Sequence, residues 1–262
     1  MDDDFPAGMV WLVGAGPGDP ELLTRKAERL IRRASVILYD ALVGPGILDF
    51  AAPGARLEHV GKRSGRHSRD QRTIDRMIVE AALAGERVVR LKGGDPAIFA
   101  RAGEELGAAR AAGIAVRICP GVTAASAAAA SLGTSLTLRG LARRLTLVTA
   151  HARAGEALTL NWSELADPDA TLAIYMGKVV AAQVAENLIL AGLNPDTPVA
   201  MVENASLPDE RVVRTRLDLL GLVADAALGS GPALLLIGSA LADSGAAVGA
   251  RCQVMVAARP PK

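Results

Sequence analysis

Five short apolar runs in the first half of the chain, at 9–13, 35–39, 56–60, 87–91 and 115–118, alternate with longer amphipathic stretches. Runs of four to five residues suit strands, and the stretches between them suit helices. In 20–33, Leu22, Leu23, Ala27, Leu30 and Ile31 fall on one helical face. Asp19 is a suitable N-cap and Pro20 a suitable first helical residue. Residues 69–84 and 101–112 read the same way. Strand–helix alternation implies a mostly parallel sheet with helices on both faces.

Residues 133–144, GTSLTLRGLARR, are polar and basic and are expected to connect two domains. A second series follows, with strands over 145–149, 171–175, 198–202, 211–216 and 233–237 and helices over 178–191 and 218–227. The pair flanking 204–210 reads as a hairpin. The expectation is two α/β domains, 8–138 and 142–244, with a ligand cleft between them. The stretch 245–262 is small and polar and is expected to be peripheral.

Half of the 262 residues are apolar, which indicates a folded globular protein. The net charge of +1 offers no reason to expect nucleic acid or an anionic membrane as partner. No apolar run reaches the length of a membrane span. The acidic start, MDDDFPAG, is unlike a signal peptide. A cytoplasmic protein is therefore expected, with Cys119 and Cys252 reduced. They form no metal-ligand pattern, so no metal is expected. Of the 29 basic residues only five are Lys and 24 are Arg. Either base composition explains this, or a site for several carboxylates does, since Arg matches them with a planar fork.

VGAGPGDPELLT (13–24) follows the first strand. The dinucleotide fingerprint wants G-x-G-x-x-G, and here Asp19 takes the third glycine's place. An aspartate cap would use the helix N–H groups and repel a pyrophosphate, and Pro20 removes one donor. The P-loop pattern is absent as well. A ligand that needs close backbone approach without phosphate, such as S-adenosylmethionine, fits better. VVRLKGGDPAIF (88–99) is a second glycine turn after a strand, where Asp95 can accept from ribose or amine groups. In ICPGVTAASAAAA (118–130), Thr123 and Ala124 can offer N–H groups at a helix start. Asp40 lies just past a strand in LYDALV. VGKRSGRHS (60–68) holds Lys62, Arg63, Arg66 and His67, either as solvated surface or as part of a site. Arg101 and Glu104 share a helix face. His151 is one of three histidines.

Taken together, GAGPGDPELLT, YDALV, VGKRSGRHS, VVRLKGGDPAIF, PGVTAASAAAA and YMGK occur in this order over 9–240. The set resembles the uroporphyrinogen-III C-methyltransferases of the tetrapyrrole methylase superfamily. The glycine turn alone indicates the superfamily; VGKR-x-G-x-H with RLKGGDP is more specific. The resemblance implies a two-domain α/β homodimer that methylates uroporphyrinogen III at C2 and C7, giving precorrin-2 by way of precorrin-1. By motif it assigns Pro17, Gly93, Gly94, Asp95, Ile98, Thr123, Ala124, Met176 and Ala205 to S-adenosylmethionine. Asp40 and Lys62 match proton acceptor and donor, and Arg101 and Glu104 a pair that handles the substrate and its proton. Some relatives carry an N-terminal dehydrogenase–ferrochelatase domain. This chain begins at the methylase, so methyl transfer is the one activity expected. Ala100, Ala102, Ala150 and Ala205 stand where the family usually has glycine, each adding a methyl near an expected contact.

Methyl transfer from a sulfonium is an in-line displacement, so catalysis should be largely positioning. The attacking pyrrole carbon requires a base, and Asp40, Glu104 or a substrate carboxylate can serve. Arg63, Arg66, Arg101, Arg139, Arg143 and Arg144 are candidate partners for the eight substrate carboxylates. Other readings remain open. They are another precorrin methylase, a diphthine synthase-like enzyme, an NAD-dependent dehydrogenase, and a tetrapyrrole-binding protein without catalysis.

Overall fold

The computed structural model describes residues 4–61, 70–151, 159–242 and 253–256. The chain divides into two compact units, Met1–Ala124 and Ala125–Lys262.

In the first unit, β1 (Val10–Gly14), β2 (Val36–Tyr39), β3 (Arg56–His59), β4 (Val88–Lys92) and β5 (Val116–Cys119) form one sheet in the order β3-β2-β4-β1-β5. Every pairing is parallel. The helices α1 (Arg25–Arg33), α2 (Gln71–Leu83) and α3 (Ala102–Ala111) supply the crossovers. Alternate β1 residues feed two cores. Trp11 and Val13 pack with Leu30 and Ile31 of α1, while Val10 and Leu12 pack with Ile74 and Ile78 of α2. Each such buried side chain contributes about 1.5–3 kcal/mol.

The helix expected over 20–33 is interrupted. Pro20–Leu22 form one 3-10 turn, with Asp19 accepting from Glu21 N–H. Leu23 is extended, and α1 begins after Thr24, whose hydroxyl accepts from Ala27 N–H at 3.1 Å. Asp19 thus caps the short turn and Thr24 the helix.

In the second unit, α4 (Ala124–Leu132) is followed by β6 (Arg144–Thr149), α5 (Trp162–Leu165), β7 (Ala170–Tyr175), α6 (Ala181–Leu190), β8 (Pro198–Glu203), β9 (Arg211–Arg216), α7 (Leu220–Ala227), β10 (Ala233–Ile237) and β11 (Gln253–Val256). The sheet order is β11-β9-β8-β10-β7-β6, and only β6 and β7 pair in parallel. β8 and β9 form the expected hairpin. Two features differ from the sequence reading. The stretch expected to be peripheral contributes the edge strand β11. The division falls at Ala124–Ala125 and not within 133–144, because α4 is tied to the second unit. Ser131 Oγ donates to Glu210 at 2.8 Å, Arg214 donates to Leu132 O at 3.0 Å, and Ala125 N–H donates to the Tyr175 hydroxyl at 3.2 Å.

Candidate active site

Loops that leave the C-terminal ends of parallel strands share one sheet edge, and ligands of open α/β sheets bind there. In the first unit the loops after β1, β2, β4 and β5 meet at that edge. The two glycine turns are joined directly. Gly94 N–H donates to Gly16 O at 2.6 Å, and Gly16 N–H donates to Gly94 O at 3.2 Å. The loop after β5 is fastened by Asp95, whose carboxylate accepts from Gly121 N–H at 3.0 Å and Ala97 N–H at 2.7 Å. A Cβ on Gly14 would lie 2.6 Å from Gly121 Cα and 2.7 Å from Gly94 O, so only glycine permits this approach. Gly94 itself has φ +68° and faces open space, with nothing within 4 Å of a built Cβ. The edge is therefore a fused backbone platform with an open side.

Its neighbourhood is a poor phosphate site. Glu21 N–H is taken by Asp19, Leu22 and Leu23 N–H by carbonyls of the same turn, and Ala27 N–H by Thr24. The donors of the turn that follows the glycine loop, where a pyrophosphate would have to sit, are thus used within the chain.

Pro17, Asp40, Gly93, Gly94, Asp95, Ile98 and Thr123 all fall on these loops and are half-buried. Asp40 Oδ1 accepts from Leu42 N–H at 3.1 Å, and Oδ2 lies 3.5 Å from Arg90 Nη2. Arg101 precedes α3 with φ +56° and grips Glu104 through two bonds of 2.7 Å. Both side chains are exposed, so the pair adds little stability and stands open to a ligand. Lys62, Arg63 and Arg66 lie outside the described residues.

The second unit gathers a further group. The C-terminal ends of β6, β7 and β8 lie at one edge of its sheet, with Tyr175 opposite Leu234 and Glu203 opposite Ala233 of β10. Met176 and Ala205 follow β7 and β8 there, as His151 follows β6. Buried Glu203 organises this edge. Its carboxylate accepts from Gly229 N–H at 2.8 Å and Gly231 N–H at 2.9 Å, and lies 3.5 Å from Lys178 Nζ. Ala124 opens α4, and the following residue, Ala125, bonds the hydroxyl of Tyr175. Arg139 and Arg143 are exposed ahead of β6, and Arg144 pairs with Asp167.

Backbone strain marks the same places. Among the described residues the non-glycine residues with positive φ are Phe99, Arg101, Met176, Asn204 and Ser206. Each is, or adjoins, a residue expected at the site, and such conformations cost about 1–3 kcal/mol apiece.

Sequence reasoning missed Arg90, Lys92, Glu105 and Glu203. Arg90, Lys92 and Glu105 form a buried ion cluster beneath the edge: Arg90 Nε lies 2.9 Å and Lys92 Nζ 2.7 Å from the Glu105 carboxylate. Burial, with Arg90 nearby, lowers the Lys92 pKa, while Glu105 opposes the shift. The available signal was two cations inside an otherwise apolar central strand, VVRLK. Among the described residues no group of three or more His, Cys, Asp or Glu could hold a metal, and no helix is long and apolar enough to cross a membrane.

Residues 9–220 match the family described as Tetrapyrrole (Corrin/Porphyrin) Methylases. The uroporphyrinogen-III C-methyltransferase of Pseudomonas aeruginosa is 48% identical over 238 residues, covering 90% of this chain and 96% of that protein. The siroheme synthase of Gluconobacter oxydans is 46% identical over 91% of this chain but 50% of that protein. The chain thus spans about half the length of several curated relatives it matches. A solved uroporphyrin-III C-methyl transferase from Thermus thermophilus, complexed with S-adenyl homocysteine, superposes with a TM-score of 0.76 at 40% identity. The match covers 89% of this chain and 98% of that one.

Proposed function

The chain belongs to the tetrapyrrole methylases, and from that premise we propose that it methylates uroporphyrinogen III at C2 and C7, giving precorrin-2 by way of precorrin-1. The observation that carries the reading is the fused glycine edge, open above Gly94 and followed by a turn whose N–H groups are taken by its own cap and carbonyls. It suits a nucleoside and amino acid better than a dinucleotide. The resemblance extends the reading to a homodimer.

S-adenosylmethionine, when bound, supplies an electrophilic sulfonium methyl group. The protein's own part is placement and proton handling. The backbone at Gly93, Gly94 and Asp95, with Pro17, Ile98, Thr123 and Ala124 on neighbouring loops, forms one set of contacts. Met176 and Ala205 form the other. Asp40 accepts the proton lost after the pyrrole carbon attacks. Arg101, together with Arg139 and Arg143, binds substrate carboxylates, and Glu104 holds Arg101 in its fork. Lys62 is assigned the proton-donor role by the family pattern alone, and Arg63 and Arg66 are candidate partners for further substrate carboxylates.

Calorimetric titration tests the cofactor class. S-adenosylhomocysteine is expected to bind in the micromolar range and NAD not at all. NAD binding without S-adenosylhomocysteine binding would replace the reading with a dehydrogenase. Parallel anaerobic incubations with uroporphyrinogen III and later precorrins identify the acceptor.

A further inference from the structure

β4 is a central strand, between β2 and β1, yet it carries two buried cations. Arg90 and Lys92 are 4% and 3% exposed, and Glu105 is fully buried. Stability does not account for such a group, since well-packed apolar residues in place of buried ions are often neutral or stabilising. The cluster is also unbalanced, with two cations and one carboxylate.

The fourth member is Asp40. The Arg90 guanidinium is held on three sides. Nε donates to Glu105 at 2.9 Å, and Nη1 donates to Leu91 O at 2.8 Å, with Leu38 O at 3.4 Å. Its remaining nitrogen, Nη2, points at Asp40 Oδ2 from 3.5 Å. Lys92 fixes the far oxygen of Glu105 at 2.7 Å, so neither Glu105 nor Arg90 is free to turn. Asp40 is thereby set between two fixed donors, Leu42 N–H on Oδ1 and Arg90 on Oδ2. Its side chain is 22% exposed, so it still reaches the open edge.

We infer that Arg90 is a positioning residue, which orients the Asp40 carboxylate for proton transfer and is itself locked by Glu105 and Lys92. The inference rests on Asp40 being the proton acceptor proposed above. A lysine at position 90 keeps the charge but presents one ammonium, which cannot bond Glu105, the Leu91 carbonyl and Asp40 with the same fork.

The test is a double-mutant cycle of Arg90→Lys and Asp40→Asn, read as kcat for methyl transfer and as the dissociation constant of S-adenosylhomocysteine. Each single variant is expected to lose at least tenfold in kcat, and the double variant no more than about the worse single one, because groups acting as a unit are non-additive. Cofactor affinity should stay within about threefold in Arg90→Lys. Should Arg90→Lys fail to fold, by circular dichroism, Glu105→Gln takes its place with the same expectation. Losses that multiply, a normal kcat in Arg90→Lys, or a large loss of cofactor affinity would overturn the positioning role. An unchanged kcat in Asp40→Asn would instead remove Asp40 as the base, and the inference with it.

Discussion

Glu203→Gln is the substitution whose cost the structure defines best. Each oxygen of the buried carboxylate serves one backbone donor and one cation: Gly231 N–H and Lys178 on one side, Gly229 N–H and Arg211 on the other. Glutamine keeps a single acceptor oxygen. Its amide NH2 then faces an N–H donor and a cation, so one charged hydrogen bond is lost and both cations lose their anion. A hydrogen bond to a charged group is worth about 1.5–3 kcal/mol, and the pairs at 3.5 and 3.8 Å add less because Arg211 is half exposed. The expected loss is about 2–4 kcal/mol, which lowers Tm by roughly 6–15 °C for a unit of this size. Asp225→Asn, at an exposed position on α7, is the control and should stay within about 0.5 kcal/mol. Scanning calorimetry of the three proteins decides the matter. Because Glu203 ties the end of β8, next to Asn204 and Ala205, to the backbone at Gly229 and Gly231, S-adenosylhomocysteine should bind more weakly to Glu203→Gln. A Tm within 2 °C of the parent's, roughly half a kcal/mol, would show that Glu203 does not anchor this edge.

Two further perturbations follow. In Gly121→Ala the new methyl would meet Gly94 O and lie 2.9 Å from Gly14 Cα, forcing the fused loops apart. The expected cost is about 1–3 kcal/mol in stability with at least a tenfold loss of S-adenosylhomocysteine affinity, and unchanged affinity by calorimetry would separate the platform from cofactor binding. Lys92 tests the buried cluster through pH. Its lowered pKa means that the folded state disfavours the ammonium, so the penalty is complete below the depressed value and fades as pH rises toward the ordinary 10.5. The parent should therefore gain stability relative to Lys92→Met across that alkaline window, and a flat or falling difference in denaturation midpoints would contradict the buried charge.

Much of the fold was legible because it is written in local periods. The apolar runs predicted ten strands, and each is present within a residue or two. What escaped depends on contacts distant in sequence. Leu23 carries an apolar side chain at helical spacing, yet the turn capped by Asp19 and the helix capped by Thr24 leave it extended. The strand Gln253–Val256 exists through pairing with Arg211–Arg214, which no local pattern announces. The poly-alanine helix α4 shows no strong face in sequence, so the hydrogen bonds of Ala125, Ser131 and Leu132 decide where it belongs.

The candidate site is legible in a different sense. Loop motifs pointed to Gly94, Asp95, Asp40 and Met176, and the sheet topologies collect them into one group in each unit. The charged residues underneath, Arg90, Lys92, Glu105 and Glu203, could not be read as partners. Their signal is a charge in an apolar run, and only the packing of β4 against α3, or of β8 against β10, shows what each charge meets.

The most direct measurement is the product mass after anaerobic incubation of the protein with uroporphyrinogen III and S-adenosylmethionine. A tetrapyrrole heavier by two methyl groups is expected, passing through a singly methylated intermediate, with S-adenosylhomocysteine formed in equal measure to the methyls transferred. An unmethylated tetrapyrrole, from protein that binds S-adenosylhomocysteine, would rule out uroporphyrinogen III as the substrate and assign the methyl to another acceptor.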